Sequence, residues 1–108
     1  RDKPMTPEAK TKKKVRAILD SEEVYQFNPF GGGYGRAGIP DIVGCVNGFF
    51  LAVECKAGKG KGKTTALQDR ELESIRHAGG VALVIYDTEE DYMSLRNTVH
   101  LLRLKEPR

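Results

Sequence analysis

No apolar run in this chain approaches the roughly 18–20 residues that a membrane span requires, and its N-terminus lacks the apolar block of a secretory signal. The expectation is a soluble, cytoplasmic protein with no membrane partner. Cysteine is scarce, with Cys45 and Cys55 the only two. They form neither a CxxC pair nor a cluster with His77 or His100, which argues against a disulfide framework and a structural zinc site and leaves reduced, buried thiols on strands. No internal repeat occurs, and no low-complexity segment beyond two glycine-rich loops. Neither sign of charge dominates: 18 Lys and Arg stand against 15 Asp and Glu, a net charge of +3.

What is present fits one globular domain spanning residues 1–108, with 39% hydrophobic and 31% charged residues. A chain of this length buries roughly 60–70% of its unfolded surface around a modest core. The distribution of charge is more informative than its sum. Lys10, Lys12, Lys13, Lys14 and Arg16 form one basic cluster and Lys56, Lys59, Lys61 and Lys63 another, while Glu71, Glu73, Asp87, Glu89, Glu90 and Asp91 gather the acids. Two basic clusters in so small a chain fit a polyanion partner, although solvated lysines are also common.

The first helix opens at Thr6-Pro7-Glu8-Ala9, where Thr caps free amides, Pro suits the first helical position and Glu suits the positive end of the dipole. It runs to about Asp20, with Val15, Ile18 and Leu19 inward and Lys10, Lys13 and Lys14 toward solvent. Val24 to Asn28 alternates as a strand does, and Pro29 to Gly38 forms a glycine-laden loop. Asp41 to Val46 and Phe49 to Lys56 are strand-like runs joined by Asn47-Gly48, a strong hairpin signal. After the loop Ala57 to Lys63, Thr64 or Thr65 caps a helix carrying Leu67, Leu72 and Ile75, which ends at Gly79. Val81 to Tyr86 reads as a buried strand. Thr88 starts a last helix, and Val99 to Leu104 is either a strand or a packed tail. The predicted architecture is α/β, an αβββαβ core with a mixed central sheet flanked by helices, followed by a helix and a tail.

The hairpin register carries the chemistry. A two-residue turn at Asn47-Gly48 pairs Val46 with Phe49, Cys45 with Phe50 and, farther out, Asp41 with Glu54. Opposed residues on an antiparallel pair share a face with Cβ atoms about 4.5–5.5 Å apart, so two carboxylates are expected side by side, an arrangement that is unfavourable unless offset. Lys56 lies two residues beyond Glu54 on the same face. The rest of that face is Val43, Cys45, Phe50 and Ala52, the other is Ile42, Val46, Phe49, Leu51 and Val53, and both are expected to be buried. Asp41, Glu54 and Lys56 could simply form a salt-bridged strand end worth about 0–1 kcal/mol. One lysine, however, cannot neutralise two adjacent carboxylates beside an apolar face, whereas a hard divalent cation suits oxygen ligands and bridges phosphate. Mg²⁺ or Mn²⁺ held by Asp41 and Glu54 would polarise a phosphodiester and acidify a bound water, with Lys56 orienting that water or neutralising developing charge.

Gly38-Ile39-Pro40-Asp41, about a dozen residues and then Glu54-Cys55-Lys56 resemble the PD-(D/E)xK nuclease superfamily, and most closely its virus-type replication-repair nuclease domains. The resemblance runs from the first helix through Tyr86. It implies a restriction-endonuclease-like fold and a metal-dependent DNA endonuclease, with Asp41, Glu54 and the Cys55 backbone carbonyl as metal ligands and Lys56 as catalytic partner. It also places Glu8, from the first helix, near the metal and Gln68 at the border of the active site. A favourable charge in a helix's first turn accounts equally for Glu8, and an exposed helical position for Gln68. Free-standing proteins of this kind act as homodimers on branched DNA such as four-way junctions. Tyr34, Arg36 and the Gly31-Gly32-Gly33 loop could clamp a DNA backbone, although an ordinary loop accounts for them too. Lys10, Lys13, Lys14, Lys59, Lys61 and Lys63 are the expected phosphate contacts.

Two other functions compete. Gly58 to Thr64 lies between a strand and a helix as a phosphate loop does, but Gly58 and Gly62 enclose three residues where a P-loop needs four. A DNA-binding module that keeps the nuclease fold without cleaving is the other alternative.

Overall fold

The computed structural model describes residues 4–29, 37–58 and 62–108. Gly31-Gly32-Gly33, Tyr34, Arg36, Lys59 and Lys61, named above as DNA contacts, lie outside the described residues. The elements are α1 (Pro7–Ser21), β1 (Tyr25–Phe27), β2 (Ile42–Val46), β3 (Phe49–Cys55), α2 (Ala66–His77), β4 (Val81–Ile85) and α3 (Glu89–Leu104). Their order is αβββαβ followed by a helix, and the protein is α/β with a four-stranded mixed sheet.

Local chemistry starts each helix. Thr6 accepts the Ala9 N–H at 3.1 Å ahead of Pro7, and Thr88 accepts the Asp91 N–H at 3.1 Å. The segment Val99–Leu104 resolves as helix, because Tyr92, Leu95, Val99 and Leu102 recur at helical spacing and are buried together. It is neither a strand nor a packed tail.

The sheet order is β1-β2-β3-β4, with β1·β2 and β2·β3 antiparallel and β3·β4 parallel through the α2 crossover. Asn47 and Gly48 both take positive φ, 53° and 83°, as a tight primed turn requires. The register follows: Val46 faces Phe49, Cys45 faces Phe50 and Ile42 faces Val53.

Helices α1 and α3 cover one face, enclosing Val15, Leu19, Ile42, Leu51, Val53, Cys55, Ile85, Leu95 and Val99. On the other face α2 packs Leu72 and Ile75 on Val43, Ala52 and Ala82. That second layer is smaller than expected. Cys45 is exposed and Phe50 is 47% exposed, so this face is buried only at its site-proximal half. The 12 residues of α2 span roughly 18 Å and leave the turn end of the hairpin uncovered. Leu67 is likewise exposed at the start of α2. Among the described residues, no helix is long and apolar enough to cross a membrane.

Candidate metal and nucleic-acid site

Asp41 lies one residue before β2, Glu54 and Cys55 end β3, and Lys56 follows, its N–H held by the Ile85 carbonyl at 2.9 Å. The register thus brings all three chemical residues to one end of the sheet. Asp41 does not continue the ladder. Its Oδ2 instead accepts the Cys55 backbone N–H at 2.8 Å, which draws the carboxylate across to the Glu54 strand.

Glu54 is 3% exposed and Lys56 7%, so an acid and an amine are buried together, 3.6 Å apart. Glu54 Oε2 accepts from Gln68 Nε2 at 2.9 Å, while Oε1 is buried with no donor, and the Asp41 carboxyl beside Glu54 can partner it only by sharing a proton. Burial, followed by the nearby Asp41 charge, pushes the Glu54 carboxyl up to about 7, against a smaller opposing effect of Lys56. A buried carboxylate with one oxygen unpartnered is unfavourable unless a proton or a cation reaches it.

Gln68 belongs to the site through the cap of α2. Thr65 accepts the Gln68 N–H at 3.1 Å, and Gln68 Oε1 accepts the Thr65 N–H at 2.9 Å, a reciprocal capping box. With its oxygen so engaged, the amide can only present its N–H₂ to Glu54.

The first turn of α1 reaches the same end of the sheet. Glu8 Oε2 lies 3.8 Å from Lys56 Nζ, half exposed, and so contacts the amine. Lys12, one turn later, lies 3.5 Å from Asp41 Oδ1. Strand register alone sets one lysine against the two carboxylates, whereas two amines, Lys56 and Lys12, face them. Lys12 was grouped with the basic cluster and missed as a site residue. Its signal was the four-residue spacing from Glu8, since i and i+4 share a helix face.

The Cys55 side chain points into the α1–α3 core, where burial pushes its thiol well above the ordinary range. Its backbone N–H is what reaches the site, on Asp41. Among the described residues, no three His, Cys, Asp or Glu side chains are grouped to hold a metal ion. An ion shared by Asp41 and Glu54 would therefore need main-chain oxygen, water or phosphate to complete its shell. The donor set is all oxygen and Glu54 Oε1 is unsatisfied, so the pair fits a hard divalent cation.

Gly38 connects this site to α2. It takes φ +83°, and a Cβ there would fall 2.6 Å from the Leu67 carbonyl oxygen, so the segment leading to Pro40-Asp41 lies directly on the first turn of α2. The proposed phosphate contacts divide. Lys10, Lys13 and Lys63 are exposed, whereas Lys14 is turned toward α3, 3.3 Å from Asp87 Oδ1 and over the Tyr92 ring. Beside Lys12, an open groove of about 490 Å³ runs along α1, lined by Met5, Ala9, Lys12, Lys13, Arg16 and Asp20.

Comparison of the chain with protein-family models, with curated proteins and with solved structures finds no match.

Proposed function

We propose that this protein is a Mg²⁺- or Mn²⁺-dependent DNA endonuclease that hydrolyses phosphodiester bonds at Asp41, Glu54 and Lys56. The observation carrying this reading is the buried Glu54 carboxylate, with one oxygen unpartnered, beside Asp41 and a buried lysine. When bound, the cation supplies Lewis acidity toward the phosphate and lowers the pKa of a water to be used as nucleophile. Asp41 and Glu54 would hold the ion, with the Cys55 carbonyl as the main-chain donor that the resemblance implies. Lys56 neutralises charge developing on the phosphoryl oxygens. Gln68 fixes the Glu54 carboxylate from α2, and Glu8 keeps the Lys56 amine over the site. Lys10, Lys13 and Lys63 contact flanking phosphates.

The resemblance to replication-repair nucleases extends the proposal to branched DNA, such as four-way junctions, cut by a homodimer whose two-fold axis matches that of the junction. Cleavage of a four-way junction with Mg²⁺ or Mn²⁺, comparing wild type with Asp41→Ala and Lys56→Ala, tests it. Wild type nicks and both variants lose at least about a hundredfold in rate, the scale of removing one electrostatic stabiliser; variants that cut as fast as wild type refute the site. The second reading, a DNA-binding module without cleavage, draws on the lack of a third grouped ligand side chain among the described residues. It predicts salt-sensitive junction binding with no nicking under any divalent cation.

A further inference from the structure

The two oxygens of Asp41 have different partners. Oδ2 is held by the Cys55 N–H at 2.8 Å, a contact within the sheet that fixes the carboxylate. Oδ1 faces the Lys12 ammonium at 3.5 Å. A divalent cation drawn to Asp41 and to the unpartnered Glu54 oxygen therefore meets a positive charge already seated at Oδ1. Lysine is a point charge on a four-carbon stem that can swing without disturbing its helix. The Lys12 side chain is 36% exposed and that of Asp41 19%, so the pair sits at the rim of the site, where the amine can exchange Asp41 for solvent. Lys12 also lines the α1 groove, together with Lys13, Arg16 and one acid, Asp20. An amine expelled from Asp41 would turn further into that groove, where three cations outnumber the single carboxylate of Asp20 and a phosphate would be their natural partner.

We propose that Lys12 is a built-in counter-ion of Asp41, displaced when a divalent cation enters and then engaging substrate phosphate at the mouth of the α1 groove, so that cation and nucleic acid reinforce each other's binding. The inference rests on the metal-dependent reading above. Without nucleic acid, Lys12 competes with the ion for Asp41; with nucleic acid present, the competitor has another anion. Linkage makes the effect reciprocal, so the ion raises affinity for the polyanion by the same factor. Lys12 is in this sense a positioning residue that sets when the site loads.

The test measures Mn²⁺ binding to the full chain from the electron paramagnetic resonance of free Mn²⁺, with no nucleic acid present. Wild type is compared with Lys12→Met, Lys12→Gln, Lys12→Arg and Lys105→Met, the last removing the same charge from the far end of α3. Lys12→Met and Lys12→Gln are expected to bind Mn²⁺ about two- to tenfold tighter than wild type, Lys12→Arg within about twofold, and Lys105→Met unchanged. A short DNA duplex with hydrolysis-resistant phosphorothioate linkages then raises Mn²⁺ affinity more in wild type than in Lys12→Met. A structural role for Lys12 would not tighten ion binding. Wild type that binds Mn²⁺ no more weakly than Lys12→Met overturns the inference and leaves the metal site standing. Absence of Mn²⁺ binding in every variant overturns both.

Discussion

Gln68 joins the cap of α2 to the acid at the centre of the site: its Oε1 accepts from Thr65 N–H at 2.9 Å, and its Nε2 donates to Glu54 Oε2 at 2.9 Å. One side chain thus starts a helix and orients a buried carboxylate. Gln68→Glu separates the two roles, because a carboxylate still accepts the Thr65 N–H but offers Glu54 no donor. At about pH 8 the variant is expected to lose about 1–3 kcal/mol in urea denaturation, the scale of depriving a buried charged group of a partner. The loss should shrink at acidic pH, where Glu54 holds a proton. A loss independent of pH would mean that the Glu54 contact contributes little.

Titration of Glu54 gives a second expectation. In the folded protein its carboxyl is raised from 4.5 to about 7, so the unfolded chain gives up this proton first. Between those values the native state binds more protons than the unfolded state, and stability falls as pH rises through the window, levelling above it. The fall grows with how far burial and the Asp41 charge hold the carboxyl above its ordinary range. Thermal melts in a chelating buffer should show this decline in wild type and a flatter profile in Glu54→Gln. Adding Mg²⁺ at about pH 8 should restore stability to wild type only, by mass action on the ionised form.

Gly38 tests how the segment before Asp41 is held. Gly38→Ala meets both a left-handed backbone and the Leu67 carbonyl at 2.6 Å, whereas Gly62→Ala meets a similar φ of +94° with nothing within 4 Å. Backbone strain alone costs about 1 kcal/mol. Gly38→Ala should exceed Gly62→Ala by at least about 1 kcal/mol in chemical denaturation and should also weaken Mn²⁺ binding. Equal effects would indicate that this segment yields without disturbing Asp41.

Asn47 serves more than its turn. Its Nδ2 donates to the carbonyls of Leu102 and Lys105, both at 2.9 Å, tying the hairpin to the C-terminal end of α3. Asn47→Gly keeps the positive φ and removes both bonds. A loss of about 1–2 kcal/mol by urea denaturation is expected, with the hairpin register intact by amide exchange. A neutral substitution would show that the tie to α3 is dispensable.

The hairpin was legible because its determinants are local. Asn47-Gly48 dictates the turn, the turn dictates the pairing, and a side-chain period of two puts Glu54 and Lys56 on one face. Capping residues Thr6 and Thr88 were likewise readable, since a cap acts within three residues of itself, whereas Thr64 and Thr65 stood as alternatives until the reciprocal bonds with Gln68 made Thr65 the cap. Reading Val99 to Leu104 by its immediate sequence left it open, and only the burial of Val99 and Leu102 with Leu95 against the sheet made it helix.

From the order of its residues alone, this protein determined an αβββαβ chain with Asp41, Glu54 and Lys56 at one end of a β-hairpin. Tertiary structure decided how far each face is covered, leaving Cys45 and Phe50 exposed beyond the reach of α2, and it brought Glu8 and Lys12 from α1 to the same acids. The physical reason is one of range. Turns, caps and strand alternation are governed by neighbours a few residues away, whereas the placement of one helix against a sheet depends on side chains that meet only after the chain has folded.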